Sequence, residues 1–174
     1  MKNLIDAFND ACERLKVTYG DIRVIESETE SITVKNENVE ELARNKDAGF
    51  GVRVLHKGCW GFACSREMSV SEVERVTHLA VEIAEASALT KREEVRLVPE
   101  EKHVDTWRNP FEEDPFKVSL EEKIALLMSA NKAMGEVEGI TNRLSFFNAF
   151  REVQTFANTE GSLINQEIVE CGGG

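Results

Sequence analysis

Histidine and paired cysteine are scarce in this sequence. Its three histidines lie far apart, and no two of them are separated by three or four residues. Zinc hydrolases often carry two histidines one helical turn apart, so this pattern of a metal site is missing. The four cysteines form no CxxC pair and are too few for a secreted disulfide scaffold. The residue patterns therefore predict no metal-binding residue.

Other catalytic patterns are missing as well. The sequence has no GxSxG motif around a nucleophilic serine. Gly49 and Gly51 are not followed by the third glycine and the helix that a dinucleotide-binding loop needs. Glutamate pairs such as Glu40 and Glu41 are adjacent in sequence, and adjacent side chains do not converge on one point. The residues alone predict no catalytic group.

Basic residues are outnumbered, with 32 acidic against 21 basic residues and a net charge of −11. Such a surface repels a phosphate backbone, so we expect no direct binding to nucleic acid. No apolar run approaches the roughly 20 residues that cross a bilayer. The amphipathic N-terminus contains acidic residues, unlike a signal peptide. We therefore expect a cytoplasmic protein with no membrane partner.

Hydrophobic periodicity predicts an α+β fold in which antiparallel sheet units are flanked by helices. Helices are predicted over residues 3–16, over 69–88 and from Ser119, and Ser69 or Ser71 offers a capping box for the second. Period-two alternation over 21–65 predicts four or five strands with one buried face. Further strands are predicted over 140–150, 152–156 and 163–169. The helix–strands order occurs once and begins again, which is compatible with a duplicated plan whose second unit is truncated.

The predicted domain organisation has three parts. Residues 1–92 form an N-terminal domain, residues 93–118 a connecting segment that holds all three prolines, and residues 119–174 the start of a second domain. The last residues, Val169–Gly174, carry no stop signal for a strand. We therefore expect the chain to be the front part of a longer protein.

One stretch, residues 48–65, combines features of a binding or structural motif. Two glycines alternate with apolar residues, an arginine shares their face, and a tight turn at 56–58 follows. One interpretation is a well-packed hairpin in which the tryptophan anchors the core and the arginine pairs with an acid. The other is a glycine face along which an extended peptide can lie. The candidate residues are Gly49, Gly51, Arg53, Trp60, Gly61 and Phe62.

This hairpin resembles the TldD/PmbA family, once called modulators of DNA gyrase. The runs Gly49-Phe50-Gly51-Val52-Arg53-Val54 and Gly58-Cys59-Trp60-Gly61-Phe62-Ala63 match the family pattern GxGVRV…GxWGFA. Asp21-x-Arg23, Asp114-Pro115-Phe116 and Asn158-Thr159-Glu160-Gly161 are similar to the family as well. The tryptophan favours the TldD-like branch.

The resemblance implies that the chain is the N-terminal, chamber-forming and dimerisation portion of a zinc metallopeptidase that acts on unfolded peptides. Full-length members hold zinc through a HExxxH helix and a later cysteine, and they form homo- or heterodimers with a TldD/PmbA-like subunit. No HExxxH occurs here, so zinc is expected only in the full-length protein. Two alternatives stay open: a non-catalytic PmbA-like companion subunit, and an acidic module that binds a DNA topoisomerase.

Overall fold

A computed structural model of the chain describes residues 2–174, which form three helices and six strands. The strands belong to one six-stranded sheet in the order β3-β2-β1-β5-β6-β4. The predicted α+β class is confirmed. In chain order the elements are α1 (Lys2–Leu15), β1 (Tyr19–Lys35), β2 (Asn38–His56), β3 (Cys59–Ser65), α2 (Val70–Ala88), β4 (Val104–Arg108), α3 (Leu120–Gly135), β5 (Leu144–Asn158) and β6 (Leu163–Gly173).

By compactness the chain divides into two units, each assembled from separate segments. The first contains residues up to Glu26, Ala48–Trp107 and Val153–Gln166, and the second contains Ser27–Asp47, Arg108–Glu152 and Glu167–Gly174. The long strands β1, β2, β5 and β6 contribute residues to both. Because each compact unit combines separate stretches of the sequence, the units do not test boundaries along the chain. The domain boundaries at 92 and 118 stay a prediction.

The first unit buries the apolar stripes of α1 and α2 against alternate residues of β1 and β2. Phe8 of α1 and Val76 of α2 are fully buried, as are Ile22, Val24 and Val52 of the strands. Helix α2 begins where predicted, because the Ser69 hydroxyl accepts a hydrogen bond from the Glu72 amide at 3.2 Å.

Helix α2 approaches β3 at Gly61 more closely than any other residue would permit. A Cβ atom at position 61 would lie 1.9 Å from the carbonyl oxygen of Ala80 and 2.8 Å from the amide nitrogen of Ala84. Both alanines are fully buried, so small residues line the two sides of this contact. The clashing atoms belong to the helix backbone and cannot rotate away. Gly61 therefore sets the distance between α2 and β3.

The second unit packs α3 against the end of β1. Its core consists of Ile32, Val34 and Leu127, with partly buried apolar residues around them. Asn131 is fully buried, and its side-chain amide takes the place of a backbone hydrogen-bond partner for two main-chain groups. It accepts a hydrogen bond from the Glu37 amide at 3.0 Å and donates one to the Val34 carbonyl at 3.1 Å. These bonds hold α3 on the turn that follows β1.

The strands are fewer and longer than predicted, which corrects the expectation of four or five strands over 21–65. The structure has three, because β1 runs unbroken for 17 residues and β2 for 19. The apolar alternation of β1 stops where Glu28 and Glu30 take inward positions, yet both are buried and the strand continues. The predicted runs 140–150 and 152–156 likewise merge into the single strand β5, which begins at Leu144, so that residues 140–143 lie outside it. Sequence analysis missed β4, whose five residues are all exposed and give no periodic signal.

Replacing Gly61 with alanine tests the close approach of α2. We expect Gly61→Ala to lower the free energy of unfolding by about 3 kcal/mol, because added core volume that meets backbone atoms cannot be relieved by a rotamer change. The matched control is Gly172→Ala, where a Cβ would meet no atom within 4 Å. Urea unfolding of both variants measures the effect. Equal stabilities would contradict the assigned contact.

Candidate functional site

The hairpin of β2 and β3 brings the candidate residues together in the first unit. Gly49, Gly51 and Arg53 lie in β2, and residues 60–62 lie in β3. The two strands pair antiparallel, with Arg53 opposite Phe62. Lys57 and Gly58 both have positive φ angles, of 50° and 75°, as a two-residue hairpin turn requires. The predicted tight turn is confirmed.

Arg53 is held by a buried carboxylate. Its Nε and a terminal nitrogen lie 2.8 and 2.7 Å from Oδ2 of Asp21, whose side chain is 4% exposed. The guanidinium carbon lies 4.7 Å from the centroid of the Trp60 ring, and the Tyr19 ring meets that ring edge-on at 6.0 Å. Burial lowers the pKa of Arg53, but the hydrogen bond and charge of Asp21 outweigh it and the pKa is raised. The predicted pairing of this arginine with an acid is confirmed, and its charge is already neutralised.

The other motif residues have packing roles as well. The Phe62 ring lies against Gly51, where a Cβ would come within 3.0 Å of it, and a Cβ on Gly49 would lie 3.0 Å from the Ser65 carbonyl oxygen. Trp60 is half-buried beside Arg53 and lies outside the buried cluster, which corrects its interpretation as a core anchor. Phe62 is 58% exposed. Substrate binding by this motif stays a prediction.

A second polar cluster, in the second unit, was missed by sequence analysis. Glu28 lies 2.7 Å from a terminal nitrogen of Arg44 and 3.4 Å from Nζ of Lys46. Glu30 forms an ion pair with Lys123 of α3, and both side chains are almost fully buried. The signal was present in the sequence: two acids continue the inward positions of Ile22, Val24, Ile32 and Val34 on one strand.

The segment before α3 is bound to this cluster. Arg151 of β5 donates to Asp114 at 2.6 Å and lies 3.5 Å from Glu167 of β6. The Phe116 ring contacts two guanidinium groups, with its centroid 5.4 Å from Arg44 and 4.9 Å from Arg151. Cation–π contacts of this kind stabilise by about 0.5–2 kcal/mol each. The Asp114–Phe116 stretch is thereby fixed to the sheet.

Two carboxyl groups of the cluster have lowered pKa values. Burial raises the pKa of Glu28, but hydrogen bonds and charge from Arg44 and Lys46 outweigh it and lower the pKa. Burial also raises the pKa of Asp114, but the Phe116 amide and the Arg151 side chain outweigh it. Both groups therefore stabilise the folded state in their ionised form.

The histidines and cysteines do not converge. His56 is largely buried, with Nε2 3.3 Å from a carboxylate oxygen of Glu85. Burial raises the pKa of the Cys12 thiol to about 12, so this cysteine is a poor nucleophile. Among residues 2–174 no group of three or more histidine, cysteine, aspartate or glutamate side chains could hold a metal ion. None of the helices in that range is long and apolar enough to span a bilayer.

Comparison with protein families gives two matches in chain order. Residues 20–84 match PmbA/TldA metallopeptidase domain 1, and residues 113–174 match the PmbA/TldA metallopeptidase central domain. The chain belongs to the PmbA/TldD family. The motif in residues 48–65 lies inside the first of these domains, and the Asp114–Phe116 stretch opens the second.

Curated relatives of this PmbA/TldD chain are named metalloproteases. Metalloprotease MJ0996 of Methanocaldococcus jannaschii is 30% identical over 153 residues, which are 88% of this chain and 34% of that protein. Metalloprotease slr0863 of Synechocystis is 31% identical over 147 residues, which are 83% of this chain and 31% of that protein. The chain therefore spans about a third of the length of the curated relatives it matches.

Solved structures share the fold of this PmbA/TldD chain at low sequence identity. TM0727 of Thermotoga maritima, named for modulation of a DNA gyrase, has a TM-score of 0.78 at 14% identity and covers 98% of this chain and 38% of its own. TldE of Thermococcus kodakarensis has a TM-score of 0.72 at 17% identity, with 99% and 38% covered. At these identities the likeness shows the fold alone.

Breaking the buried pair of the second cluster tests its contribution to stability. We expect Lys123→Met to lower the free energy of unfolding by about 3–5 kcal/mol, because it leaves the Glu30 charge buried without its main partner. The double variant Glu30→Gln/Lys123→Met removes both charges and is expected to recover most of that loss. Chemical denaturation of both variants measures the difference. A double variant as unstable as the single one would contradict the charge argument.

The pH dependence of stability tests the Arg151–Asp114 contact. The pKa of Asp114 is lowered from 3.8, so its contribution is present above that pH and is lost as the pH falls further. In Arg151→Met that pKa rises, and we expect the free energy of unfolding to fall less steeply below about pH 4 than in the wild type. The control is Arg14→Met, whose ion pair with Glu74 is exposed. Parallel pH profiles for wild type and Arg151→Met would refute the assignment.

Proposed function

We propose that the chain forms the N-terminal, chamber-forming and dimerisation portion of a zinc metallopeptidase that acts on unfolded peptides. The ordered match to domain 1 and the central domain carries this proposal. Relatives named metalloproteases are about three times as long, which supports assigning the zinc ligands and the peptidase chemistry to that further length. No residue of this chain is assigned a catalytic or metal-binding role.

The polar face of β1, opposite the helices, supports a role as a wall. In the first unit α1 and α2 cover the side of β1 that carries Ile22 and Val24, and Arg23 between them is exposed. In the second unit α3 covers Ile32 and Val34. The residues that alternate with them form a serine and threonine stripe: Ser27, Thr29, Ser31 and Thr33. A sheet with one apolar and one polar face suits the boundary of a solvent-filled space.

An unpaired strand edge supports peptide binding. β3 pairs with residues 50–56 of β2, and no strand within residues 2–174 pairs with the same edge over Asn38–Lys46. This stretch is exposed throughout except for half-buried Ala43. Unpaired amide and carbonyl groups at such an edge can take an extended peptide as an added strand, whatever its side chains. Binding through the main chain suits unfolded peptides of varied sequence.

The names of the relatives separate this proposal from its alternatives. Four curated relatives are named metalloproteases, which favours a peptidase over a non-catalytic companion subunit. The name of TM0727 points to a DNA topoisomerase, but its likeness to this chain extends to the fold alone. The dimer partner in our proposal is a second TldD/PmbA-like subunit, identical or different.

Zinc titration and a peptidase assay test whether this chain binds peptides while zinc binding and hydrolysis need the further length of the protein. We expect the 174-residue chain to bind unfolded casein without cleaving it and to bind no stoichiometric zinc. A protein that extends this chain through its downstream coding sequence is expected to bind zinc and to hydrolyse casein, with loss of activity on chelation. Calorimetry with zinc and fluorescence-quenched casein supply the two measurements.

Two results would count against this proposal. Zinc-dependent hydrolysis by the 174-residue chain alone would show that the catalytic groups lie within it. An extended protein that holds peptides yet never cleaves them would favour the companion subunit. A complex with a topoisomerase at low salt, dissociated by added salt, would support the third alternative.

A further inference from the structure

The stretch that joins α2 to β4, which we call the α2–β4 connection, has no regular secondary structure. It comprises residues 89–103, which form neither helix nor strand. Every one of these residues is exposed, and Val98 is 81% exposed. Packing therefore gives little protection to the main chain of the α2–β4 connection.

The first part of the α2–β4 connection is held on the hairpin turn between β2 and β3. Nζ of Lys91 donates a hydrogen bond to the Lys57 carbonyl at 2.8 Å. The Val95 amide donates one to the Gly58 carbonyl at 3.0 Å. Residues 91–95 are thereby restrained at both ends.

The second part of the α2–β4 connection lacks such restraints until it reaches β4. The main chain of residues 96–102 makes no hydrogen bond to any part of the chain that the structure describes. The next restrained residue is His103, whose amide donates to Oγ of Ser162 at 3.1 Å and whose carbonyl accepts from the Leu163 amide at 2.8 Å. Residues 96–102 are therefore accessible as an extended chain without local unfolding.

Accessibility of this kind decides which bonds of a folded protein a protease can cut. A bond within a helix, a strand or a hydrogen-bonded turn is cut only after local opening, whereas an exposed segment without hydrogen bonds is cut in the native state. Arg96 is exposed and is followed by Leu97 in the unrestrained part. Arg143, in the irregular stretch before β5, differs in this respect. Its amide donates to Oδ1 of Asn36 and its carbonyl accepts from the Asn36 amide, each at 3.0 Å.

The first unit contains residues from both sides of Arg96. Val24 of β1 and Ala157 of β5 are buried in the same core. The Thr159 amide also donates a hydrogen bond to the Gly20 carbonyl at 2.9 Å. A cut after Arg96 breaks none of these contacts.

The second unit also joins residues that precede the α2–β4 connection to residues that follow it. Ile32 and Val34 of β1 share a core with Leu127 of α3. Glu30 of β1 forms its buried ion pair with Lys123 of α3. Separating the two pieces of a cut chain would expose the apolar residues of both cores to water, so the pieces are held together.

We propose that the α2–β4 connection is a processing site, at which an arginine-specific endopeptidase hydrolyses the bond between Arg96 and Leu97 and yields a two-chain molecule that stays assembled. Water adds across that amide bond, which leaves a carboxylate on Arg96 and an amino group on Leu97. The cut lies between the two stretches that match the family, so each of them remains continuous. The reaction uses an external protease and no metal ion of this protein, so it is independent of the proposed peptidase activity.

Limited digestion of the folded 174-residue chain with clostripain, an arginine-specific endopeptidase, tests the proposal. We expect mass spectrometry to place the first cut after Arg96. In size-exclusion chromatography the fragments 1–96 and 97–174 are expected to elute together at the volume of the intact chain and to separate only in urea. Arg96→Gln is expected to slow the loss of intact chain roughly tenfold, because cleavage elsewhere needs local opening. The matched control Arg92→Gln, in the restrained first part, is expected to leave the rate unchanged.

The same digestion of a protein extended through the downstream coding sequence tests the accessibility of this bond in the longer molecule. We expect the first cut after Arg96 there as well, and protection of that bond would overturn the proposal. A first cut at another arginine, or equal slowing by Arg92→Gln and Arg96→Gln, would also overturn it. Fragments that elute separately from the native digest would refute the assembled product.

Discussion

Two carboxylates at inward positions of β1 constrain the second unit. Glu28 and Glu30 stand where the strand would otherwise carry side chains like Ile32, and burying an unpaired charge costs several kcal/mol. The cost is offset because Arg44 comes from the neighbouring strand and Lys123 from the helix above. Charge pairing therefore selects the register of β2 against β1 and the position of α3 at once.

The same network explains why the proline-containing segment before α3 belongs to the unit. Asp114 offers little apolar surface and the Phe116 side chain is only half-buried, yet both contact Arg151. The Asn109 side chain pairs with the main chain of β6 as a neighbouring strand would. Its Oδ1 accepts a hydrogen bond from the Val169 amide at 2.9 Å, and its Nδ2 donates one to the Val169 carbonyl at 2.7 Å. A segment with no periodic pattern is thus fixed by side-chain hydrogen bonds and ionic contacts. Asp114 and Phe116 lie within residues 113–174, which match the central domain of the family.

Sequence reasoning succeeded where structure is decided locally. The helix starts at Ser69 and Ser119 and the turn at Lys57–Gly58 depend on residues within a few positions of each other, and all three were predicted. It failed where distant partners decide. The continuity of β1 depends on cations supplied from β2 and α3. An acid was predicted to pair with Arg53, but its identity as Asp21, 32 residues away, was not. Neither partnership leaves a periodic signal in the sequence.

The residues that identify the family are explained mainly by packing within the chain. Gly61 admits α2, Gly51 borders the Phe62 ring, and Arg53 is neutralised by Asp21. A motif of this kind diagnoses a fold, because its residue types follow from backbone proximity and buried charge and carry no reaction chemistry. The exposed ring of Phe62 is the part of the motif that has surface to offer a ligand.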